Sequence, residues 1–323
     1  MSDTVQESYA DAERIRVKPG KMPKSRVTHT KLIEVAPGEH VPATVAMRKL
    51  EKRIVRLVAK AIIDFKMLAD GDKVMVCMSG GKDSYVLLDA LLRLQKRAPI
   101  RFSVVAVHIA QGIPGAPTEK LEEWLKMKGA DYHIEYQDTY SVVQKLIPDG
   151  RNVCSLCARL RRGIIYTVAA RLGCTKIALG HQMDDVVSTL LLNMFFGSGI
   201  KAMPPVLRSD DKKNVVIRPL IYLREHELRR WAQICNYPLF PKDLCGAGEN
   251  LQRKEIKAML REWDRQYDSR VYNLFMSTMR VSPSQLADKT LYDFENFRRI
   301  GQAPDKADAA ADSPEPPQEK EDF

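Results

Sequence analysis

Six consecutive residues, Ser79-Gly80-Gly81-Lys82-Asp83-Ser84, carry the groups needed to hold a chain of phosphates. Two glycines let backbone amides come close to phosphate oxygens, and the start of a following helix adds partial positive charge. Lys82 brings a point charge, Ser79 and Ser84 bring hydroxyls, and Asp83 suits a magnesium ion, which prefers carboxylate and phosphate oxygens. This is not a Walker A loop. Val76 stands where that motif needs its first glycine, and Asp83 follows Lys82 where it needs Ser or Thr. A second segment, Gly180-His181-Gln182-Met183-Asp184-Asp185, sets an imidazole beside two carboxylates. Taken alone, an Asp pair at a helix start is a capping feature, and a lone His is structural.

Cysteine supplies the other reactive set. Cys154 and Cys157 form a CxxC ahead of a helix carrying Arg159, Arg161 and Arg162, and Cys245 sits in Asp243-Leu244-Cys245-Gly246. CxxC serves as a metal clamp, a redox dithiol or half of a zinc knuckle. A closed zinc site wants a fourth Cys or His at fitting spacing, and none stands out. Three thiolates suit an iron–sulfur cluster with one open iron, with zinc still open as the alternative. Cys77 in a core strand, Cys174 just before another strand and Cys235 in a helix read as small buried hydrophobes.

The elements that must position these groups alternate. Leu50, Ile54, Leu57, Val58, Ala61, Ile62, Phe65 and Leu68 make one face of a long helix that Gly71 stops. Strands are expected over 73–78, 102–109, 131–136, 176–179 and 215–219, with helices over 84–97, 119–128, 157–172, 184–196 and 224–235. That alternation predicts an α/β fold: a parallel sheet with helices on both faces, its ligand beyond the carboxyl ends of the strands. From about Asn250 the pattern is helical, giving a helical C-terminal extension. The expected divisions are a basic flexible arm over 1–45, an N-terminal helix over 46–70 and a nucleotide-binding α/β domain with the CxxC over 71–236. A helical region with the third cysteine (237–303) and a disordered acidic tail (304–323) follow.

The chain has 323 residues and a net charge of +10. Pro304 to Phe323 hold seven acids against two lysines, so the rest is more basic still. From Arg14 to Lys31 there are seven Lys/Arg and no acid. A polyanion is the partner such a balance fits, because each neutralised phosphate releases counterions. No stretch has the roughly 18 apolar residues of a membrane span, and the polar MSDTVQESYADAER is not a secretory signal. The cytoplasm is the expected location, with no membrane partner.

SGGKDS resembles the PP-loop of the ATP pyrophosphatase superfamily, and GHQMDD resembles its Gly-His-x-x-Asp-Asp segment. MVCMSGGKDSYVLL, CSLCARLRRGI, KIALGHQMDD, LLNMFFG, MPP, VVIRPL and DLCGAGENLQR resemble, more narrowly, the tRNA-cytidine(32) 2-sulfurtransferases over roughly residues 46–294. The resemblance implies a PP-loop (adenine nucleotide alpha hydrolase-like) fold. It implies ATP bound by Ser79, Gly80, Gly81, Lys82, Asp83 and Ser84 with Gly180, magnesium on Asp83, and chemistry at Lys82, Asp83, Asp184 and Asp185. Cys154, Cys157 and Cys245 would hold a 4Fe-4S cluster whose open iron presents sulfur to the activated base. A persulfide on Cys154 or Cys157 is the alternative carrier.

The implied partners are tRNA and a cysteine desulfurase as sulfur donor, and a homodimer is compatible with the sequence. Arg159, Arg161, Arg162, Arg253, Lys254 and Lys257 are the candidate RNA contacts. Two positions depart from the family pattern: Lys242 replaces a common further cysteine, and Met183 replaces a common arginine. Rival readings are another PP-loop tRNA enzyme, of 2-thiouridine or lysidine type, and a zinc-stabilised tRNA-binding module without chemistry.

Overall fold

The computed structural model describes residues 32–36, 39–42, 44–147, 153–209, 212–241, 244, 251–267 and 269–294. Thr44 caps the first helix, α1 (Val45–Asp64), by accepting from the Met47 amide at 3.2 Å. Leu50, Ile54, Val58 and Ala61, three and four residues apart, form its buried stripe. Before it, β1 (Leu32–Ala36) and β2 (Glu39–Pro42) pair antiparallel. This strand pair lies inside the range read as a basic flexible arm. The alternating branched residues of LIEVA and the Pro37-Gly38 pair between the strands are the signals that reading passed over.

The main sheet has six strands in the order β5-β4-β3-β6-β8-β7. These are β3 (Lys73–Cys77), β4 (Ser103–Ala110), β5 (Tyr132–Tyr136), β6 (Lys176–Ala178), β7 (Val206–Arg208) and β8 (Val215–Ile217). The first five positions are parallel, as expected, and β7 closes the edge antiparallel to β8. β3 lies at the centre because its run is apolar on both faces. Val74 and Val76 join the core formed with α1 and α2 (Lys82–Gln95), while Met75 joins a second core with Val168 and Ala169.

The crossover helices are α2, α3 (Thr118–Lys128), α4 (Thr139–Leu146), α5 (Val153–Arg171) and α6 (Met183–Phe196). α4 was not foreseen; its Asp138 cap accepts from the Ser141 amide at 2.9 Å. α5 begins four residues earlier than expected, so Cys154 and Cys157 stand one turn apart within it. No Gly or Pro between Val153 and Cys157 stops the helix from forming there. α7 (Glu225–Ile234), α8 (Leu251–Gln266) and α9 (Arg270–Ser277) complete the α-helices among the described residues. α8 and α9 pack on α6, burying Ile256, Leu260, Val271 and Phe275. No helix among the described residues is long and apolar enough to cross a membrane.

Candidate active site

Ser79 to Ser84 leave the carboxyl end of β3 and enter α2, whose N-cap is Gly81. The loop holds its own shape. Ser84 Oγ donates to the Gly81 carbonyl at 2.8 Å, and the Gly81 amide donates to Ser79 Oγ at 3.3 Å. Gly80 takes a φ of +77°, which glycine adopts without steric cost. Gly180 lies against the loop, since a Cβ there would meet the Asp83 carbonyl carbon at 3.1 Å and the Ser84 nitrogen at 3.2 Å.

Lys82 Nζ pairs with Asp83 at 3.1 Å and with Glu225 at 3.4 Å. Burial works against the Lys82 charge, but the two carboxylates outweigh it and raise its pKa. Burial pushes the Asp83 carboxyl up to about 6, the charge of Lys82 countering it only in part. Asp83 Oδ1 is buried without a hydrogen-bond partner. Its Oδ1, left unpaired while Oδ2 meets Lys82, offers an oxygen ligand to a hard cation once the carboxyl is ionised.

The two aspartates of the second segment divide. Gln182 caps α6 by accepting from the Asp184 amide at 2.6 Å, and Asp185 Oδ2 accepts from the Gln182 amide at 3.3 Å in return. Asp185 lines the cavity described below. Asp184 does not. Its carboxylate takes Arg224 Nη2 at 3.0 Å and the Glu225 amide at 2.8 Å, and Arg224 also holds Asp264. Asp184 is thus held by Arg224 and the Glu225 amide and is not among the cavity-lining residues. It is spent on tying α6 to the start of α7 and to α8, because its side chain leaves the helix on the face those elements cover. Met183, in the place of the family's common arginine, is buried in the core.

A cavity of about 1,660 Å³ opens at the carboxyl ends of the strands. Ser79, Asp83, Ser84, Gly180, His181 and Asp185 border it. So do Ala158, Arg161, Arg162, Ile165 and Tyr166, a single stripe of α5 at helical spacing. Arg159 falls outside that stripe and is exposed. Arg253 lines the cavity from α8, Lys254 is exposed, and Lys257 stands 3.8 Å from Asp185 Oδ1.

Cys157 Sγ donates to Gln111 Oε1 at 3.3 Å, and Gln111 lines the cavity. Leu244, the residue before Cys245, lines it as well. Cys245 and the Cys154 side chain lie outside what is described. Among the described residues no three His, Cys, Asp or Glu converge as a metal cage. Cys235 is buried as read. Cys77 is only partly a core residue: it also borders the cavity, its thiol pushed up to about 12 by burial.

Sequence reasoning missed His108, Arg218 and Phe240 as cavity residues. His108 Nδ1 stands 2.8 Å from the Met78 carbonyl oxygen, and its ring meets Phe240 edge-on at 5.4 Å. Arg218 could have been found from its position just past β8, at the same end of the sheet as the phosphate loop.

A glycine-rich phosphate loop after the central strand, an acidic cation candidate at the first helix turn and a cavity over the strand ends define a PP-loop nucleotide-binding protein. The PP-loop domain family matches residues 47–262. The chain is 56% identical to a tRNA-cytidine(32) 2-sulfurtransferase of Paracidovorax citrulli, over 83% of this chain and 87% of that one. It is 55% identical to one of Polaromonas naphthalenivorans, over 83% and 85%. Among solved structures it resembles the U34-tRNA thiolase NcsA from Methanococcus maripaludis with its [4Fe-4S] cluster. That likeness has a TM-score of 0.57 and 23% identity, covers 72% of this chain and 78% of that one, and speaks for the fold. The chain belongs to the tRNA-cytidine(32) 2-sulfurtransferase family.

Proposed function

We propose that this protein uses ATP to replace the C2 oxygen of cytidine 32 in tRNA with sulfur, giving 2-thiocytidine, AMP and diphosphate. The C2 oxygen attacks the α-phosphorus of ATP, and the bond to the β-phosphate breaks. A cysteine desulfurase supplies the sulfur as a persulfide. A dithiol reductant gives the two electrons that release it as sulfide and is itself oxidised to a disulfide, and the sulfide then attacks C2. The C2–O bond breaks and AMP departs with the former carbonyl oxygen. The observation that carries this reading is one cavity bordered both by Ser79, Asp83 and Ser84 and by Gln111, Ala158 and Leu244, the neighbours of Cys157 and Cys245. Its volume exceeds the roughly 300–1,000 Å³ of a single small-ligand pocket, as two substrates require.

In this scheme Lys82 leaves Asp83 and Glu225 to neutralise charge building on the diphosphate, and the loop amides donate to the same oxygens. Asp83 would hold magnesium, which supplies further positive charge against the phosphates. Cys154, Cys157 and Cys245 would hold a 4Fe-4S cluster, which supplies an iron with an open position for sulfur. Arg161, Arg162 and Arg253 steady the RNA while the target base is splayed from its stack into the cavity. Arg159, Lys254 and Lys257 extend that grip outside it. Residues 71–236 are then the ATP-binding unit and 237–303 the region that brings the third cysteine.

The test is nucleoside analysis of tRNA from cells lacking this gene. 2-Thiocytidine should vanish, return with the wild-type gene, and stay absent with Lys82→Ala or Cys157→Ser. Persistence of 2-thiocytidine in the deletion removes the assignment. Iron and sulfide assay after anaerobic purification checks the cluster, and colourless protein with stoichiometric zinc would replace it.

A further inference from the structure

We infer that Arg218 and His181, flanked by Arg161, Arg162 and Arg253, form a second phosphate-binding subsite in the cavity, apart from the loop at Ser79 to Ser84. Arg218 is only 7% exposed, yet it borders the cavity. Its Nη1 donates to the Pro204 carbonyl, which fixes the guanidinium, while its Nε–H is buried with no partner. His181 Nδ1 is buried and unpartnered in the same wall. Leaving a buried polar group unpaired is costly, because it has given up water without gaining a partner. Two such atoms on residues that border one cavity, among arginines, mark a site that an acceptor completes, taking the Arg218 Nε–H and, in its Nδ1–H tautomer, His181.

The acceptor is an anion. Arg161 and Arg162 approach from the cavity stripe of α5 and Arg253 from α8. Arg218, Arg253 and Arg161 each act on His181 to disfavour its charged form, after burial itself, so the positive field converges on this point. Asp185 opposes that field, but it is engaged by the Gln182 amide and lies near Lys257. Guanidinium groups match the tetrahedral oxygens of phosphate through several donors at once. His181 directly follows Gly180, which touches the phosphate loop, so the subsite stands next to that loop.

This inference rests on the proposed reaction, which brings two kinds of phosphate into the cavity: the α-phosphate of the nucleotide and a backbone phosphate of the RNA beside the target base. Calorimetric titration of the full chain with AMP, with diphosphate and with an anticodon stem–loop RNA separates them. Arg218→Gln should weaken either AMP or RNA by about tenfold, the order of one charge-assisted hydrogen bond, and leave diphosphate within about twofold. Arg218→Lys should recover part of the loss, and Arg161→Gln, on an exposed position, should weaken the same ligand by about threefold. A loss confined to AMP assigns the α-phosphate, and a loss confined to RNA assigns the backbone.

Unchanged AMP and RNA affinities overturn the subsite, as does an equal loss for diphosphate. Because Arg218 also holds Pro204, the wild-type protein is titrated as well with adenosine against AMP, and with methylphosphonate RNA against natural RNA. If the phosphate adds no affinity in either pair, the inference fails whatever Arg218→Gln does to the fold. If these binding results hold while 2-thiocytidine persists in the deletion strain, the reaction is wrong and the subsite stands.

Discussion

Phe240 lies across Gly80. Its backbone N–H donates to the Gly80 carbonyl at 2.9 Å, and its ring fills the space that a Cβ on Gly80 would need. Nearby, Tyr85 Oη donates to the Pro238 carbonyl at 2.9 Å, and the Tyr85 and Tyr237 rings stack at 5.1 Å. The segment from Tyr237 to Pro241 is thus strapped over the phosphate loop. Leu244, three residues beyond Pro241, borders the same cavity as the loop.

Gly80→Ala should therefore cost stability twice, through its positive φ and through the Phe240 ring, by about 2–4 kcal/mol together. Denaturant unfolding measures it. Adding Phe240→Ala should return part of the loss. Strictly additive effects of the two substitutions would show that the ring contact carries none of it.

Asp184 and Asp185 should behave differently although they are adjacent. Asp184→Asn breaks a half-buried pairing with Arg224 and should lower stability by about 2 kcal/mol. Asp185→Asn should change stability less and ATP-dependent turnover more, since it borders the cavity. Melting curves read beside steady-state rates decide this, and equal melting losses would contradict the division.

Lys82→Ala should lower thiolation by about 10²–10³-fold, the range for removing one preorganised donor to developing charge. Its affinity for tRNA, measured by filter binding at fixed salt, should stay within about twofold. A collapse of tRNA affinity would place Lys82 on the RNA rather than on the nucleotide.

Glu135 gives a pH prediction away from the active site. Hydrogen bonds from Arg171 and then His133 hold its carboxyl down at about 2. A depressed folded-state pKa means stability that is present above the ordinary Glu value of 4.5 and lost as pH falls through about 2. Glu135→Gln should cost about 1 kcal/mol at neutral pH, a figure kept small because Arg171 is half exposed to solvent. The gap between variant and wild type should close between about pH 4.5 and 2 in urea titrations. A gap that persists at the acid end would rule out ionisation as its source.

Local chemistry made much of this protein legible as a sequence. The phosphate loop shows because Gly-Gly-Lys-Asp between an apolar run and a helix is a local arrangement, complete within six residues. The parallel sheet shows because strands buried on both faces must be nearly continuous in apolar residues, as KVMVC and SVVAVHIA are. The short elements were missed or misplaced: α4, the hairpin before α1 and the antiparallel β7. Their patterns span too few residues to set a period, and their pairing partners lie elsewhere in the chain.

What only the tertiary structure decided is which way side chains face. Sequence cannot separate Asp184 from Asp185, because both open the same helix turn. Only the arrival of Arg224 and Asp264 on one side of α6 assigns the first to packing and leaves the second to the cavity. Nor does it bring Phe240 onto Gly80, or Arg218 and His181 onto one cavity. These placements join residues far apart in the chain, and they exist only once the sheet sets its strand ends side by side.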